Sequence, residues 1–218
     1  LPQIMAFHDR GVPVGQVYGS TETAPVAIYQ KIENAWAKPG AAGKVGLHCE
    51  LRIVDNDDKD VEPGQSGEIL IKGGNVLYEY WGNEEATKEA LRDGWFYTGD
   101  IGYQDEDGDV WINDRKKDMI NSGSENIYPA EIEAFIHEMA DIEDGVVVGK
   151  PDEKWGEVPV AVVMLKENAT LTESDFLGRF QDQLARFKHP KAVYFVGELP
   201  RNAMGKVLKY EVREMVAK

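Results

Sequence analysis

Residues 114–126 have the sequence Asp-Arg-Lys-Lys-Asp-Met-Ile-Asn-Ser-Gly-Ser-Glu-Asn, and the pattern of the chain changes across this stretch. Before it, short apolar segments alternate with Gly and Pro turns, which is typical of β-structure. After it, apolar residues recur with the 3.6-residue period of helices, interrupted by apolar strands. A charge run alone usually indicates a solvated loop. Because the two flanks differ, we instead interpret residues 114–126 as a hinge and linker between two rigid bodies.

The composition indicates a globular protein with an acidic surface. Of 218 residues, 42% are hydrophobic and 29% are charged, and this length is sufficient for two cores. The net charge of −15, from 39 acidic and 24 basic residues, argues against nucleic acid and anionic membranes as partners. No apolar run is as long as a membrane span. The single Cys49 cannot form an internal disulfide and fits a reducing compartment, so we expect a cytoplasmic protein.

The first segment, residues 1–37, is predicted to be the end of a larger α/β domain. Its first ten residues suggest the middle of a helix that stops at Gly11, so we expect the chain to begin inside a longer protein. Val12–Tyr18 is predicted to be a short buried strand, and Gly19-Ser20-Thr21-Glu22-Thr23 follows it. Loops of this kind bind phosphates in α/β sheets, because backbone N–H groups and small hydroxyls can approach closely. A plain turn explains the loop equally well.

Residues 38–113 are predicted to form a small distorted β-barrel or curled sheet with one inserted helix. Asn83 is a candidate N-cap for the helix, which runs to about Leu91, and Asp107-Gly108 is a strong hairpin signal. The predicted strands are residues 47–55, 67–72, 95–103 and 109–113.

Residues 127–218 are predicted to form a small three-stranded α+β domain, so the fold class is α+β in two parts. One helix begins at Pro129, and a second runs from Thr172 to Pro190 and buries Phe176, Phe180, Leu184 and Phe187. A third helix spans Lys209–Val216, and the predicted strands are residues 145–148, 158–165 and 192–196.

Four motifs contain residue types that could take part in chemistry. They are Ser20-Thr21-Glu22, Tyr97-Thr98-Gly99-Asp100, the hinge with Arg115, and Pro-Arg-Asn-Ala-Met-Gly-Lys at 200–206. In this order they resemble the adenylate-forming superfamily, which includes acyl-CoA synthetases, firefly luciferase and the adenylation domains of peptide synthetases. The resemblance covers nearly the whole chain, which is similar to the carboxy-terminal portion of such an enzyme.

The resemblance implies two half-reactions. A carboxylate attacks the α-phosphate of Mg·ATP to give an acyl-adenylate and pyrophosphate; the small domain then rotates, and a thiol displaces AMP. The implied nucleotide-binding residues are Tyr18 on the adenine, Gly19, Thr21 on the α-phosphate, Glu22 on Mg²⁺, Asp100 on the ribose hydroxyls, and Arg115.

The resemblance also assigns roles after residue 116. Lys117 occupies the hinge position, and Lys206 would contact the substrate carboxylate and the α-phosphate. Gly123 would let the pantetheine arm of CoA pass close to the backbone. Ser124 replaces a glycine that is common in the family, which leaves the width of this passage open. The positions that touch CoA in related ligases are Trp155, Phe187 and Lys191.

The resemblance also shows what this chain lacks. The family's phosphate loop and most of the acid pocket lie upstream, in a large domain that would have to come from the same protein. We therefore expect little adenylation by these residues alone, and the sequence does not identify the acid. The leading hypothesis is a carboxylic acid–CoA ligase. The alternatives are an adenylation module that loads a carrier protein, which the short stretch after Lys206 and the basic residues near Lys191 disfavour, and a non-catalytic nucleotide- or CoA-binding module.

Overall fold

The computed structural model describes residues 1–217, which form two compact units. The first is Leu1–Lys116, and the second begins at Lys117. The finer division into residues 1–37, 38–113, 114–126 and 127–218 stays a prediction.

The first unit begins with helix α1, Pro2–His8, which ends before Gly11 takes a left-handed conformation with φ of 76°. Three two-residue strands then form a small antiparallel sheet; they are β1 (Val17–Tyr18), β2 (Ile28–Tyr29) and β3 (Lys44–Val45). The predicted buried strand Val12–Tyr18 is wrong in length and in burial, because only two of its residues pair and the Val17 side chain is 66% exposed. Pro13 lacks the N–H that a ladder requires, and Gly15 favours irregular backbone.

The main sheet of the first unit is antiparallel and curled. Its elements are β4 (Cys49–Val54), β5 (Gly67–Gly73), α2 (Glu84–Ala90), β6 (Leu91–Arg92), β7 (Trp95–Gln104) and β8 (Val110–Arg115). Within residues 1–116 the strands have the order β4-β5-β7-β6, and β8 pairs with β7. Because β7 is ten residues long, its first residues pair with β6 and its last with β8, so the sheet bends along this strand.

Two local sequence signals in this unit, the Asn83 cap and the Gly108 turn, predicted its structure correctly. The Asn83 side chain accepts a hydrogen bond from the Ala86 N–H at 3.1 Å and caps α2. Gly108 has a φ of 84° in the β7–β8 turn, where a side chain would be strained. The core between the two sheets consists of Ala27, Ile28, Ala42, Ile53, Ile69, Ile71 and Val110.

The second unit is an α+β fold around one sheet. Its elements are β9 (Ile120–Ser122), β10 (Glu125–Ile127), α3 (Pro129–His137), β11 (Ile142–Asp152), β12 (Gly156–Leu165), α4 (Glu173–Gly178), β13 (Val193–Phe195) and α5 (Lys209–Val216). In the described part of this unit the sheet has five strands, with β10-β9-β12-β11 antiparallel and β13 parallel to β12.

The α+β class is confirmed, and the three strands predicted within residues 127–218 are present as β11, β12 and β13. The sheet is nevertheless larger than predicted, because it has two more strands. The two additional strands, β9 and β10, form a hairpin around Gly123, inside the segment interpreted as a linker. Their residues are mostly polar, so no apolar run indicated a strand. Besides backbone pairing, Ile120 and Ile127 at the two ends of the hairpin are buried in the core, and the β9 edge joins β12 through Ser122 and Gly156.

Helices cover both faces of this sheet. On β11, Val147 faces α3 and α4, whereas Val146 and Val148 face α5, as the two-residue period of a strand requires. The first face contains Ile120, Ile127, Ile132, Ile136, Met139, Phe176 and Phe180. The second contains Val160, Val162, Leu199, Val212 and Val216.

The helix predicted from Thr172 to Pro190 is also wrong, because α4 ends at Gly178. The chain then turns through Asp182, whose φ of 63° is incompatible with a helix. Phe176 and Phe180 are buried as predicted, whereas Phe187 lies on a separate 3₁₀ turn and is 39% exposed. Among residues 1–217, no helix combines the length and apolarity needed to cross a membrane.

Candidate nucleotide and thiol sites

Asp100 lies at the centre of a polar cluster in the first unit. Its Oδ2 accepts a hydrogen bond from the Tyr18 hydroxyl at 2.8 Å, and its Oδ1 lies 3.4 Å from Nε of Arg115. The β7–β8 ladder pairs Asp100 directly with Arg115, which places the two side chains together. Each carboxylate oxygen has two lone pairs, so both can accept a further hydrogen bond. The cluster can therefore bind a ligand with two adjacent hydroxyls.

The phenol of Tyr18 is held as a hydrogen-bond donor. Burial raises the pKa of Tyr18 well above its usual value of 10, and the negative charge of Asp100 raises it further. The hydroxyl thus stays protonated throughout the neutral range and orients the carboxylate.

A bulge in β7 points Asp100 into the cluster. Gly99 has a φ of 69°, and the register of β7 shifts against both neighbouring strands. The Asp100 N–H donates to the Thr98 hydroxyl at 3.1 Å, and that hydroxyl donates to the Ile69 carbonyl at 2.7 Å. The Gly99 N–H donates to Oε1 of Glu68 at 3.1 Å. The N–H groups of Gly99 and Asp100 therefore both have acceptors.

The loop after β1 requires Gly19. A Cβ at this position would lie 1.8 Å from the carbonyl oxygen of Pro25, so no other residue fits without moving the backbone. The Ser20 N–H donates to the Thr23 hydroxyl at 2.8 Å, and Thr23 is buried. Thr21 is exposed at the start of a 3₁₀ turn, where its hydroxyl is available to a ligand.

Glu22 is held by a second loop, residues 75–80. Its Oε1 accepts from the Tyr80 hydroxyl at 3.0 Å, and its carbonyl accepts from the Leu77 N–H at 2.8 Å. Burial raises the pKa of Glu22, but hydrogen bonds from Ser20, from its own backbone and from Tyr80 outweigh it, so the pKa is lowered overall. An ionised carboxylate suits Mg²⁺, which commonly takes one or two protein carboxylates together with substrate phosphates.

Two residues in contact with these groups, Glu68 and Tyr80, were not singled out from the sequence. Glu68 had a signal, since it is the single carboxylate of β5 and directly precedes the apolar run of residues 69–71. The contact between Tyr80 and Glu22 had none, because 58 residues separate the two along the chain.

In the second unit, two residues predicted to contact pantetheine lie together. The Gly123 N–H donates to the Trp155 carbonyl at 2.7 Å, and a Cβ on Gly123 would lie 3.1 Å from Cε3 of the Trp155 ring. Gly123 has a φ of 66°, Ser124 beside it is exposed, and Trp155 is 46% exposed. Gly123 and Ser124 therefore form an exposed stretch of backbone next to the exposed indole of Trp155.

Phe187 and Lys191 lie on the segment that leads into β13. The exposed Phe187 ring is on the 3₁₀ turn Arg186–Lys188, and the Lys191 N–H donates to the Pro159 carbonyl of β12 at 2.8 Å. Lys188, part of the basic cluster seen in the sequence, forms an ion pair with Glu131 at 2.7 Å. Lys191 therefore lies beside β12, the strand that begins directly after Trp155.

Lys206 lies on an ordered, exposed loop. Arg201 and Val207 form a bridge that closes it, and Oδ1 of Asn202 accepts from the N–H groups of Met204 at 3.0 Å and Lys206 at 2.9 Å. The Arg201 guanidinium pairs with Asp144. The loop thus presents the Lys206 ammonium from a fixed backbone.

Lys117, the predicted hinge residue, is the first residue of the second unit. It lies in the 3₁₀ turn Lys116–Asp118, and its carbonyl accepts from Nη2 of Arg213 at 3.3 Å. The same nitrogen pairs with Asp118 at 2.7 Å.

Two protein-family descriptions match the chain: "AMP-binding enzyme" over residues 2–81 and "AMP-binding enzyme C-terminal domain" over residues 131–206. The chain therefore belongs to the AMP-binding, adenylate-forming superfamily that its motifs indicated.

Its individual relatives are CoA ligases. Over 99% of its length it is 52% identical to indoleacetate–CoA ligase of Aromatoleum aromaticum, and over 100% it is 45% identical to 2-succinylbenzoate–CoA ligase of Geobacillus kaustophilus. It spans 42% and 44% of these two proteins, less than half of each. The Bacillus subtilis o-succinylbenzoate CoA synthetase with its acyl-adenylate superposes with a TM-score of 0.90 at 36% identity, covering 97% of this chain and 43% of that one. The same synthetase has also been solved with ATP and a magnesium ion.

Proposed function

We propose that the protein containing this chain is an AMP-forming carboxylic acid–CoA ligase. It would activate an acid with ATP and then transfer the acyl group from the adenylate to CoA. The observation that supports this most directly is the Tyr18–Asp100–Arg115 cluster, a preorganised acceptor of two hydroxyls, in a chain related to CoA ligases.

In the first half-reaction, Asp100 accepts hydrogen bonds from the two ribose hydroxyls, and the Tyr18 ring packs on the adenine beside Gly19. The Thr21 hydroxyl donates to the α-phosphate, and Arg115 adds positive charge near the nucleotide. Glu22 would hold Mg²⁺, which neutralises charge on the phosphates when it is bound.

Lys206 provides the cation for adenylation. As the acid attacks, negative charge develops on the α-phosphate oxygens, and a positioned ammonium stabilises it by several kcal/mol in a site that excludes water. Movement at Lys117 then removes Lys206, so the two half-reactions are separated in time.

In the second half-reaction, the pantetheine arm passes over Gly123 and Ser124 beside Trp155. Phe187 and Lys191 would contact the rest of CoA, with the Lys191 ammonium suited to its phosphates. Because Gly123 has no side chain, it leaves room for the thiol.

The acid is proposed to contain an aromatic ring, since the two named relatives act on indoleacetate and 2-succinylbenzoate. A large upstream domain of the same protein would provide the acid pocket and the remaining phosphate loop. We place the reaction in the cytoplasm, where a free thiol such as Cys49 stays reduced.

The test is to assay the full-length protein for ATP–pyrophosphate exchange and for thioester formation with a panel of aryl acids. Lys206→Ala should reduce exchange at least about a thousandfold while largely sparing thioester formation from pre-made acyl-adenylate. Lys59→Ala, at an exposed surface lysine, should leave both steps unchanged.

Three outcomes would contradict this proposal or its assignment of Lys206. Transfer to a carrier protein but not to CoA would support the carrier-loading alternative. Nucleotide binding without exchange would support a non-catalytic module. Equal loss of both steps in Lys206→Ala would refute the role of Lys206.

A further inference from the structure

Glu68 lies on β5 at the edge of the core of the first unit, and the proposed reaction gives it no role. It is only 8% exposed, and the three residues that follow it on β5 are apolar. A buried carboxylate is costly unless each oxygen has a partner. Here Oε1 accepts from the Gly99 N–H at 3.1 Å, and Oε2 accepts from the Lys116 ammonium at 2.7 Å.

Both partners of Glu68 adjoin residues assigned to the nucleotide site. Gly99 is the left-handed residue of the bulge that directs Asp100, so its N–H bond determines where the Asp100 backbone lies. Lys116 follows Arg115, whose side chain pairs with Asp100. One carboxylate thus contacts the residue before Asp100 and the residue after Arg115.

The end of β8 is consequently held by two neighbouring ion pairs. Arg115 pairs with Asp100 on β7, and Lys116 pairs with Glu68 on β5. Three strands meet at this point, and Lys116 is also the last residue of the first unit. We propose that Glu68 is a positioning residue that holds the Asp100 bulge in its ribose-binding geometry and ties it to the end of β8.

This inference rests on the proposed function, because it assumes that Asp100 binds the ribose hydroxyls. The readout is therefore ribose recognition itself: the affinity of the full-length protein for AMP relative to 2′,3′-dideoxy-AMP, measured by calorimetry. A wild-type protein that does not prefer AMP would refute the assignment of Asp100. That result differs from a failure of the Glu68 proposal, for which the wild type must show a preference.

Glu68→Gln places an amide against both partners. The amide oxygen can accept from the Gly99 N–H only if the NH₂ group faces the Lys116 ammonium. Two hydrogen-bond donors then face each other with no acceptor between them. The expected result is that the preference for AMP over the dideoxy nucleotide falls about tenfold. An unchanged preference would overturn the proposal.

Glu133→Gln is the control for loss of a carboxylate–lysine ion pair elsewhere in the fold. In the second unit, Oε1 of Glu133 accepts from the Val147 N–H at 2.8 Å and lies 2.8 Å from Nζ of Lys209. The variant loses this charge pair and should keep the preference for AMP. Equal loss of preference in both variants would mean that general destabilisation explains the effect.

Lys116→Met tests the second contact and keeps the proposal testable if Glu68→Gln fails to fold, because the Lys116 side chain is 45% exposed. It should also lower the preference for AMP. Combined with Glu68→Gln, it should add little further loss, since both remove one interaction. Fully additive losses, or no loss from Lys116→Met, would contradict the tie between Glu68 and β8.

Discussion

Asp100 and Arg115 are cross-strand partners in the β7–β8 ladder, and Nε of Arg115 lies 3.4 Å from Oδ1 of Asp100. The other oxygen of Asp100 accepts from the Tyr18 hydroxyl at 2.8 Å. A residue 82 positions away in sequence, Tyr18, and a residue on the neighbouring strand, Arg115, therefore orient the Asp100 carboxylate together. Because each oxygen is already held by one donor, a ligand with two hydroxyls meets a fixed acceptor pair.

Asp100→Asn should weaken AMP binding by about ten- to a hundredfold. The amide keeps one acceptor oxygen and loses the charge that pairs with Arg115, which corresponds to roughly 1.5–3 kcal/mol. Calorimetric titration of AMP measures this. Asp57→Asn, at an exposed surface pair with Lys59, is the control and should bind AMP normally. Wild-type affinity in Asp100→Asn would exclude Asp100 from the nucleotide site.

Gly19→Ala should damage the loop that follows β1, residues 19–23. The new Cβ would lie 1.8 Å from the Pro25 carbonyl oxygen, so the backbone between them must move. We expect a loss of about 2–3 kcal/mol in the free energy of unfolding and strongly reduced pyrophosphate exchange. Gly74→Ala, where a Cβ meets no atom within 4 Å, is the matched control. Similar behaviour of the two variants in denaturant unfolding would show that the loop tolerates a side chain.

Gly123→Ala should impair thioester formation more than adenylation. It places a methyl group 3.1 Å from the Trp155 ring and forces a non-glycine residue to a φ of 66°, at a cost of about 1–2 kcal/mol. The two half-reactions are measured separately, with pre-made acyl-adenylate for the second. Gly197→Ala, which meets no atom within 4 Å, should affect neither. Greater loss in the first half-reaction would contradict a passage for pantetheine at Gly123.

Asp105 should make stability depend on pH in the acidic range. Burial raises its pKa, but hydrogen bonds from Lys38 at 2.8 Å and Trp111 at 3.1 Å outweigh this and lower the pKa from 3.8 to about 2. Because the pKa of Asp105 is lower in the folded protein than in the unfolded chain, ionised Asp105 stabilises the fold. This stabilisation is complete above about pH 4 and is lost as the pH falls through about 2.

Asp105→Asn should therefore reduce the free energy of unfolding by roughly 1–2 kcal/mol at pH 7. The difference from wild type should shrink below about pH 4, as denaturant titrations at several pH values would show. Asp107→Asn is the control, because Asp107 also contacts Lys38 but is 74% exposed, and it should cost less. A difference that stays constant down to pH 2 would rule out the ion pair as its cause.

Much of the local structure could be predicted from sequence where one residue type determines the backbone. Asn83 caps α2, Gly108 turns the β7–β8 hairpin, and Lys209–Val216 is the predicted helix. The predictions failed where regular structure has no apolar pattern, as in the β9–β10 hairpin. They also failed where apolar spacing continues through a turn, as it does after Gly178.

The sequence by itself determined the family and the order of its motifs, because those motifs are contiguous and their residue types are chemically specific. The tertiary structure decided which side chains support them. That Tyr80 holds Glu22 and that Glu68 links Gly99 to Lys116 depend on strand register and on a bulge in β7. A shift of one residue in register moves a side chain to the opposite face of a sheet, so contacts between distant strands follow only from the assembled fold.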